Sequence, residues 1–269
     1  MVDAGISAER PAPLGARLRK DDRREQIVLE LRLRPHVRPG ELAERFAVST
    51  ETVRRDVEAL AAEGLVARSH GGATPPAQGR YPGLDERGAA RVAERERIGR
   101  RAAALVRPGD TVMIDSGSTT LQFARFLAYA GTPCTVLTNS LPVAMALSHA
   151  DVRVMLCPGD YLPEEAAVVG TDTVDFIARH HATRCMIGAS GLTEDGPCEA
   201  VRGFAAVKRA MIRRSAAAHL LVDSDKLGRP GLTDVAALRD LASVVVDAAP
   251  GAGLGRALAR AKVEVQLAQ

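Results

Sequence analysis

Short runs of β-forming residues alternate with helical segments from about Thr111 to Val246, and this alternation limits the possible folds more than any other feature. The first five runs each end in a small or polar loop, as strands do when helices connect them into a parallel sheet. Such connections are almost always right-handed crossovers. We therefore predict an α/β domain with an open, mostly parallel sheet. The predicted strands are Thr111–Ile114, Thr135–Leu137, Val152–Cys157, Cys185–Ile187, His219–Val222 and Ser243–Val246, and helices among them are Leu121–Ala128, Thr173–His180 and Val207–Ala217.

The first 73 residues carry a helical pattern instead. Apolar residues at helical spacing predict a first helix over Asp21–Arg34, ended by Pro35. A short second helix covers Glu41–Phe46, with Pro39 in its first turn, where a missing N–H costs nothing. A tight turn at Ala47–Val48 leads to the next helix.

A third helix is predicted from Ser49, a good N-cap, to Ala62. Its apolar residues bury one face and leave the arginines outside. A strand running into a Gly71–Gly72 turn follows, as a wing after a recognition helix does. Arginine forks suit guanine edges and phosphates, and small hydroxyls suit phosphates. The predicted DNA-binding residues are Ser49, Thr50, Arg54, Arg55, Arg68 and His70.

Three runs in this region, Glu41–Glu44, Val48–Val57 and Arg68–Ala73, resemble the DeoR family of bacterial transcriptional regulators. The resemblance implies that Ser49–Ala62 is a recognition helix and that Thr52 contacts DNA together with the two arginines. Arg54 and Arg55 taken alone would fit a solvated amphipathic helix better than a DNA-binding one, but the order of three helices and a wing favours DNA binding.

Two positions depart from the family pattern or need a separate role. Ala47 stands where the family commonly has glycine, so we expect its backbone to avoid a positive φ. Pro39–Gly40 is also atypical at the start of the second helix. Asp56 is expected to orient one of its neighbouring arginines rather than to read a base.

Polar and glycine-rich loops follow the predicted strands. The loop Asp115–Thr120 precedes a helix, and backbone N–H groups at a helix N-terminus favour an anion such as phosphate. Each loop taken singly also fits ordinary turn chemistry. Because the carboxyl ends of strands in an open sheet meet in one crevice, we expect the loops to converge on one ligand. The predicted effector-binding residues are Asp115, Ser116, Gly117, Ser118, Thr119, Thr138, Asn139, Ser140, Gly159, Gly188, Asp223 and Lys226.

These loops, together with Val207–Met211, also resemble the sensor domain of the DeoR family, which is related in fold to ribose-5-phosphate isomerase and coenzyme A transferases. Two departures matter. Ser190 stands where the family commonly has aspartate, and Phe204–Ala206 replaces residues that are often acidic. These replacements remove carboxylates that would contact sugar hydroxyls, and they favour binding over catalysis.

Proline and glycine residues cluster between Thr74 and Gly88. They predict a linker over 74–90 between a winged helix-turn-helix over 21–73 and an effector-sensing domain over 91–269. Residues 1–20 contain two prolines and two glycines with little periodicity, which predicts a disordered lead-in. The low aromatic content of 3%, without tryptophan, argues against single-strand or RNA binding. The four cysteines are far apart, which indicates reduced, mostly buried thiols rather than a zinc site or disulfides.

We predict a transcriptional regulator that represses genes of carbohydrate or related metabolite catabolism. Its partners are double-stranded operator DNA, a small phosphorylated effector such as a sugar phosphate, and further copies of itself in a dimer or tetramer. No cofactor, metal or catalysis is expected, and the lack of a signal-peptide pattern or a long apolar run favours the cytoplasm over a membrane. The alternatives are a sugar-phosphate isomerase-like enzyme with an added helical domain, for which Asp115, Asp160 or Glu199 would serve as base, and a protein-interaction module.

Overall fold

The structure is a computed structural model, and it describes residues 18–33, 37–62, 66–69, 72–74, 83–89 and 91–269. The chain divides into two compact units, Met1–Tyr81 and Pro82–Gln269. Most of the predicted lead-in, residues 1–17, lies outside the described residues, as does His70 of the predicted wing.

The N-terminal unit contains the three predicted helices and the predicted hairpin. Its elements are α1 (Lys20–Leu33), α2 (Pro39–Arg45), α3 (Thr50–Ala62), β1 (Ala67–Ser69) and β2 (Gly72–Thr74). The two strands pair antiparallel, with Ser69 opposite Gly72. Gly72 of the predicted Gly71–Gly72 turn therefore lies in β2, and Gly71 lies outside the described residues.

One apolar core holds the three helices together, because each helix turns one face inward. Burying each of its larger side chains contributes about 1.5–3 kcal/mol. The core residues are Ile27, Val37, Leu42, Ala43, Phe46, Val53, Val57, Leu60 and Val66. An ion pair from Arg45 on α2 to the buried Glu30 on α1, with an N–O distance of 2.9 Å, adds a polar link between two of the helices.

The turn between α2 and α3 contains a strained residue. Ala47 has φ +51°, in the left-handed region, so the expectation that its backbone avoids a positive φ is wrong. The turn geometry prevails over the residue preference, because Ala47 N–H donates to the Glu44 carbonyl and Val48 N–H to the Ala43 carbonyl. A side chain with a Cβ in this region costs about 1–2 kcal/mol.

Replacement of Ala47 with glycine is expected to stabilise the N-terminal unit by about 1 kcal/mol, since glycine adopts this φ without the Cβ clash and loses only part of that gain to chain entropy. Hydrogen exchange of the buried amides of α3 should slow by about fivefold. Ala62→Gly, in the helical last turn of α3, is the matched control and should speed exchange. Unchanged or faster exchange in Ala47→Gly would contradict this account.

Among the described residues of the C-terminal unit there are seven α-helices, and the largest sheet has seven strands. The helices are α4 (Leu84–Ala89), α5 (Val92–Ala103), α6 (Ser118–Ala130), α7 (Leu141–Ala146), α8 (Thr171–Ala178), α9 (Arg202–Arg213) and α10 (Ala252–Arg260). The strands are β3 (Thr111–Ile114), β4 (Cys134–Thr138), β5 (Val152–Leu156), β6 (Asp160–Leu162), β7 (Ala167–Val169), β8 (Ala182–Ile187), β9 (Gly191–Leu192), β10 (Pro197–Glu199), β11 (Ser215–Leu221), β12 (Thr233–Asp234), β13 (Ser243–Val246) and β14 (Glu264–Leu267).

The large sheet is open and its neighbouring strands are all parallel, in the order β14-β13-β11-β8-β3-β4-β5. The predicted open, mostly parallel sheet is confirmed. The chain runs outward from β3 to β5 and then returns to the other side of β3 with β8. At such a reversal the loops after two adjacent strands diverge to opposite faces and leave a crevice between them.

Two apolar layers cover the faces of this sheet, since alternate residues of each buried strand point to opposite sides. Ile98 of α5 and Phe123 of α6 pack in one layer with Val112 and Ile114 of β3. Met113, the residue between them, packs in the other layer against α8, α9 and α10. All four cysteines are free and buried.

Several boundaries differ from the predicted ones. The helix predicted over Val207–Ala217 starts earlier and ends at Arg213, because the alanine run after Ser215 forms the first half of β11, where it pairs with β8. The small side chain of alanine fits both a helix and a strand, so pairing with a neighbouring strand determines the conformation here. The predicted linker over 74–90 contains α4, and the C-terminal unit begins at Pro82 rather than at residue 91.

Two small sheets, the β6–β7 hairpin and the order β12-β10-β9, were not predicted from the sequence. Their strands of two or three residues are too short to show alternation. Within the described ranges, no helix combines the length and the apolar character that crossing a membrane requires.

Candidate functional site

The start of α3 presents hydroxyl groups next to a helix N-terminus. Ser49 caps the helix as predicted, because its Oγ accepts a hydrogen bond of 3.1 Å from the Thr52 N–H. The hydroxyl oxygens of Ser49 and Thr52 lie 2.8 Å apart. Ser49 and Thr50 are exposed and Thr52 is half-buried, so the first two of these residues face solvent at the start of α3.

Arg54 and Arg55 follow on the exposed side of α3, opposite the buried Val53 and Val57. Arg55 Nε lies 3.3 Å from Glu51 Oε1, and both side chains are more than half exposed. An exposed pair of this kind contributes only about 0.2–1 kcal/mol. Arg55 can therefore leave Glu51 for a phosphate or a base edge at little cost.

Asp56 does not orient either of these arginines, contrary to the sequence prediction. Its carboxylate is buried and accepts from Arg23 Nε at 2.6 Å and from Arg24 Nε at 3.3 Å, both on α1. The reason is helical geometry: Asp56 lies close in angle to the buried Val53 and Val57, so it faces α1, whereas Arg54 and Arg55 face away. Asp56 thus fixes α3 to α1.

The structure describes only part of the predicted wing. Arg68 lies in β1 opposite Ala73 of β2, and the position of His70 stays a prediction because it lies outside the described residues.

The second candidate site lies at the reversal point of the large sheet. Asp115 follows β3 and Gly188 follows β8. The Gly188 N–H donates to both carboxylate oxygens of Asp115, at 3.2 and 3.1 Å. Two of the loops predicted to converge are therefore in direct contact.

A buried lysine joins these loops to a third. Lys208 of α9 donates from Nζ to Asp115 Oδ2 and lies 3.3 Å from Glu199 Oε1. The other oxygen of Glu199 accepts from Ser190 Oγ at 2.8 Å. The Lys208 side chain is only 2% exposed. We call this group, Asp115, Ser190, Glu199 and Lys208, the crevice cluster.

Sequence analysis placed neither Lys208 nor Glu199 among the effector-binding residues. The signal was present, because Lys208 occupies the buried stripe of α9 with Phe204, Val207 and Met211. A lysine on such a stripe requires a buried carboxylate partner. Ser190, read as the loss of a carboxylate, donates instead to the carboxylate of Glu199.

Burial dominates the electrostatics of the crevice cluster. It raises the pKa of Asp115 to about 6, although the ammonium of Lys208 acts in the opposite direction. Glu199 raises the pKa of Asp115 further, since two carboxylates share one lysine. A ligand donor placed against Asp115 would relieve part of this cost.

The loop between Asp115 and α6 has the form of an anion site. Thr120 Oγ1 donates to the carbonyls of Asp115 and Gly117, both at 3.1 Å, which holds the loop in shape. Ser118 and Thr119 form the first turn of α6. Its backbone N–H groups carry the positive end of the helix dipole, which favours an anion.

The loop after β4 supplies one further acceptor. Asn139 Nδ2 donates to the Val168 carbonyl at 2.9 Å, whereas its Oδ1 is buried and has no hydrogen-bond partner among the described residues. Thr138 Oγ1 accepts from the Ser140 N–H and Ser140 Oγ caps α7, so both hydroxyls shape the turn. The amide oxygen of Asn139 is thus the group here that a ligand hydroxyl can satisfy.

Gly159 has a packing role. Its φ is +146°, and a Cβ at this position would lie 2.0 Å from Thr173 Oγ1 and 2.5 Å from the Val169 carbonyl oxygen. Glycine is required here whether or not a ligand lies nearby.

Asp223 is already bound within the protein. Its Oδ2 accepts from Arg95 Nε at 3.1 Å, and its Oδ1 lies 3.6 Å from Arg91 Nε. Lys226 lies half-buried one helical turn further. Burial lowers the pKa of Lys226, and the carboxylate of Asp223 opposes this. Within the described residues, no group of three or more histidine, cysteine, aspartate or glutamate side chains is arranged to hold a metal ion.

Comparison with known proteins gives a consistent result for both units. Residues 23–78 match the family described as DeoR-like helix-turn-helix domain, and residues 90–248 match the DeoR C terminal sensor domain. The chain is 31% identical over 251 residues to the glycerol-3-phosphate regulon repressor of Escherichia coli (strain K12), covering 92% of this chain and 99% of that protein.

The chain is also 30% identical over 227 residues to the HTH-type transcriptional repressor GlcR of Bacillus subtilis (strain 168), covering 81% of this chain and 84% of that repressor. Among solved structures, ribose 5 phosphate isomerase A from Neisseria gonorrhoeae is 17% identical, with a TM-score of 0.38 over 50% of this chain and 54% of that chain.

Proposed function

The chain belongs to the DeoR family of transcriptional regulators, and on this premise we propose that it represses genes for the use of a phosphorylated polyol or sugar. In this proposal the N-terminal unit holds operator DNA and the C-terminal unit binds the phosphorylated compound, which weakens DNA binding. One of the relatives named above is the repressor of a glycerol-3-phosphate regulon. The other, GlcR, is named as a transcriptional repressor.

The observation that carries the effector part is the contact of the Asp115 and Gly188 loops at the reversal point of the sheet, directly before the N-terminus of α6. The N–H groups of the loop Ser116–Thr119 are suited to the phosphate, and Lys226 adds a positive charge from the loop after β11. Asn139 Oδ1 accepts from a hydroxyl of the effector.

The DNA-binding surface in this proposal consists of Ser49, Thr50 and Thr52 against phosphates and of Arg54 and Arg55 against phosphates and base edges. Arg68 and His70 of the wing follow the neighbouring backbone. Recognition helices act in pairs on an operator with twofold symmetry, so we infer a homo-oligomer. An isomerase activity is not part of the proposal, because the family consists of regulators.

Fluorescence anisotropy of the full chain with DNA from upstream of its own and neighbouring genes tests this function. The titration is repeated at several salt concentrations and with glycerol 3-phosphate, hexose phosphates and inorganic phosphate. We expect preference for one DNA segment, a steep salt dependence, and weaker binding with one phosphate ester. Equal binding to all segments at every salt concentration would refute DNA recognition, and failure of every phosphate ester to change it would refute the effector.

Arg54→Ala is expected to weaken binding to the preferred segment by about 10- to 100-fold, which corresponds to the loss of a contact worth about 1–3 kcal/mol. The far-UV circular dichroism spectrum should not change, since Arg54 is exposed. Arg260→Ala, an exposed arginine of α10 in the other unit, is the control and should bind like the wild type. Wild-type affinity in Arg54→Ala would remove this residue from the DNA interface.

A further inference from the structure

The first residues of the C-terminal unit are tied to the loops that surround the crevice. We call residues 84–95, which comprise α4 and the first turn of α5, the junction segment, because they follow the DNA-binding unit in the chain. Arg87 of this segment forms two hydrogen bonds of 2.7 Å with Glu165, and both side chains are buried. Paired bonds of this kind between two ions are among the strongest in proteins.

Arg91 of the junction segment lies among the side chains of Ser224 and three aspartates, which we call the acidic nest: Asp223, Asp225 and Asp247. Its guanidinium donates to Ser224 Oγ at 2.8 Å and to Asp247 Oδ2 at 3.0 Å, and it lies within 3.6 Å of Asp223 and Asp225. These groups belong to the loops after β11 and β13. The guanidinium therefore neutralises carboxylates from two adjacent strand ends at once.

The backbone of Arg91 is strained. Its φ is +49°, in the left-handed region, which costs about 1–2 kcal/mol for a residue with a Cβ. Such a conformation persists only where surrounding contacts determine it, and it occurs often at switch regions. The ion pairs of the nest thus help to hold the chain in this strained conformation, together with the hydrogen bond from the Arg95 N–H to the Arg91 carbonyl.

Arg95 connects the acidic nest, through Asp223, to Arg87 of the junction segment. It is buried, donates to the Arg87 carbonyl, and holds Asp223 Oδ2 at 3.1 Å from both Nε and Nη2. The Lys226 N–H donates to the backbone carbonyl of Asp223 at 3.0 Å. Burial lowers the pKa of Lys226, the Asp223 carboxylate acts in the opposite direction, and Arg95 and Arg87 lower it further. Asp223 is therefore shared between the junction segment and the lysine assigned to the effector.

We propose that Arg91 and Arg95 are positioning residues that transmit effector binding to the DNA-binding unit, with Asp223 as the shared carboxylate. This inference rests on the proposed function. A phosphate bound near Lys226 repels the Asp223 carboxylate and attracts Arg95, so Arg95 exchanges one anionic partner for the other. The contacts that hold the junction segment weaken, and the strained Arg91 backbone relaxes.

This exchange gives the effector different affinities for two arrangements of the junction segment, which is the thermodynamic requirement for coupling. It also explains why Asp223, which was predicted to bind the effector, already forms ion pairs with two arginines. The predicted role of Asp223 as a direct ligand is replaced in this proposal by a role as counter-ion.

Hydrogen exchange of the full chain tests the first step. The probe is the phosphate ester that weakens operator binding most, with glycerol 3-phosphate as the first choice. We expect amide exchange in residues 84–95 to become about tenfold faster with the ligand, while exchange in the loop Ser116–Thr119 becomes slower. Slower exchange in the loop with no change in residues 84–95 would overturn the proposal and leave the proposed function standing.

Substitution of Arg91 tests the second step. Arg91→Gln is expected to bind operator and ligand within about threefold of the wild type, but the ligand should change operator affinity by less than about threefold, against about 5- to 150-fold for a typical coupled protein. Arg229→Gln is the matched control, because Arg229 is exposed and reaches Asp225 from outside the nest.

Arg91→Lys serves as the second variant in case Arg91→Gln does not fold, since one ammonium cannot span the nest and should restore only part of the coupling. Full wild-type coupling in both variants would overturn the proposal. If the wild-type chain binds no phosphate ester, the proposed effector and this inference fail together, whereas normal binding with normal coupling in the variants sinks the inference alone.

Discussion

Replacing Lys208 with methionine will lower the free energy of unfolding of the C-terminal unit by about 3–5 kcal/mol at pH 7.5, because two buried carboxylates then lose the cation that they share. Methionine keeps the length of the side chain and fits the apolar stripe of α9, so lost packing contributes little. Urea denaturation followed by circular dichroism measures the effect. Arg202→Met, which removes an exposed cation from the same helix, is the control and should stay within about 0.5 kcal/mol.

The pH dependence distinguishes this explanation from a general packing defect. The pKa of Asp115 in the folded protein, about 6, lies above its ordinary value of 3.8. The folded state therefore binds this proton more tightly, and the cost of ionising Asp115 is absent below pH 4 and grows as the pH rises towards 6. Without Lys208 the cost becomes larger and continues above pH 6.

The gap in stability between the wild type and Lys208→Met should accordingly narrow as the pH falls from 7.5 to 5. The double variant Asp115→Asn/Lys208→Met should be less destabilised than the sum of the single effects, since it leaves only Glu199 ionised in the cluster. A gap that is constant over this pH range would show that the ion pairs do not set the stability here.

The large sheet was predictable because each of its central strands is a compact apolar run that a polar loop ends. Thr111–Ile114 and Ser243–Val246 were located exactly. The alanines at the start of β11 carry no such signal, and their strand conformation depends on pairing with β8, which is distant in sequence. Two- and three-residue strands such as β9 and β6 are equally invisible, because they form only when the surrounding loops are in place.

The candidate sites show the same division between local and long-range information. The N-cap at Ser49 and the exposed arginines of α3 follow from spacing within one helix. The partners of Asp56 and Asp223 do not, because they lie 33 and 128 residues away along the chain. The sequence shows that a carboxylate is present, but only the packing of two elements shows which arginine it binds.

A second large effect is expected from Asp56→Asn, which removes the charge that fixes α3 to α1 but keeps the size of the side chain. Arg23 is then left buried with a neutral partner, and breaking a buried pair in this way costs about 3–5 kcal/mol. Since α3 carries the predicted DNA contacts, operator binding should fall by more than the 10- to 100-fold expected of Arg54→Ala. Amides of α3 should exchange at least about 100-fold faster.

The comparison of Asp56→Asn with Arg54→Ala separates the support of the recognition helix from its contact with DNA. Both variants should bind DNA weakly, but only Asp56→Asn should speed exchange in α3, because Asp56 is buried against α1 whereas Arg54 faces solvent. Glu51→Gln makes the same carboxylate-to-amide change at an exposed position of α3 and should leave exchange unchanged. If Asp56→Asn retained wild-type exchange but lost DNA binding, Asp56 would have to act in the complex itself, and its place beside Arg23 would need another explanation.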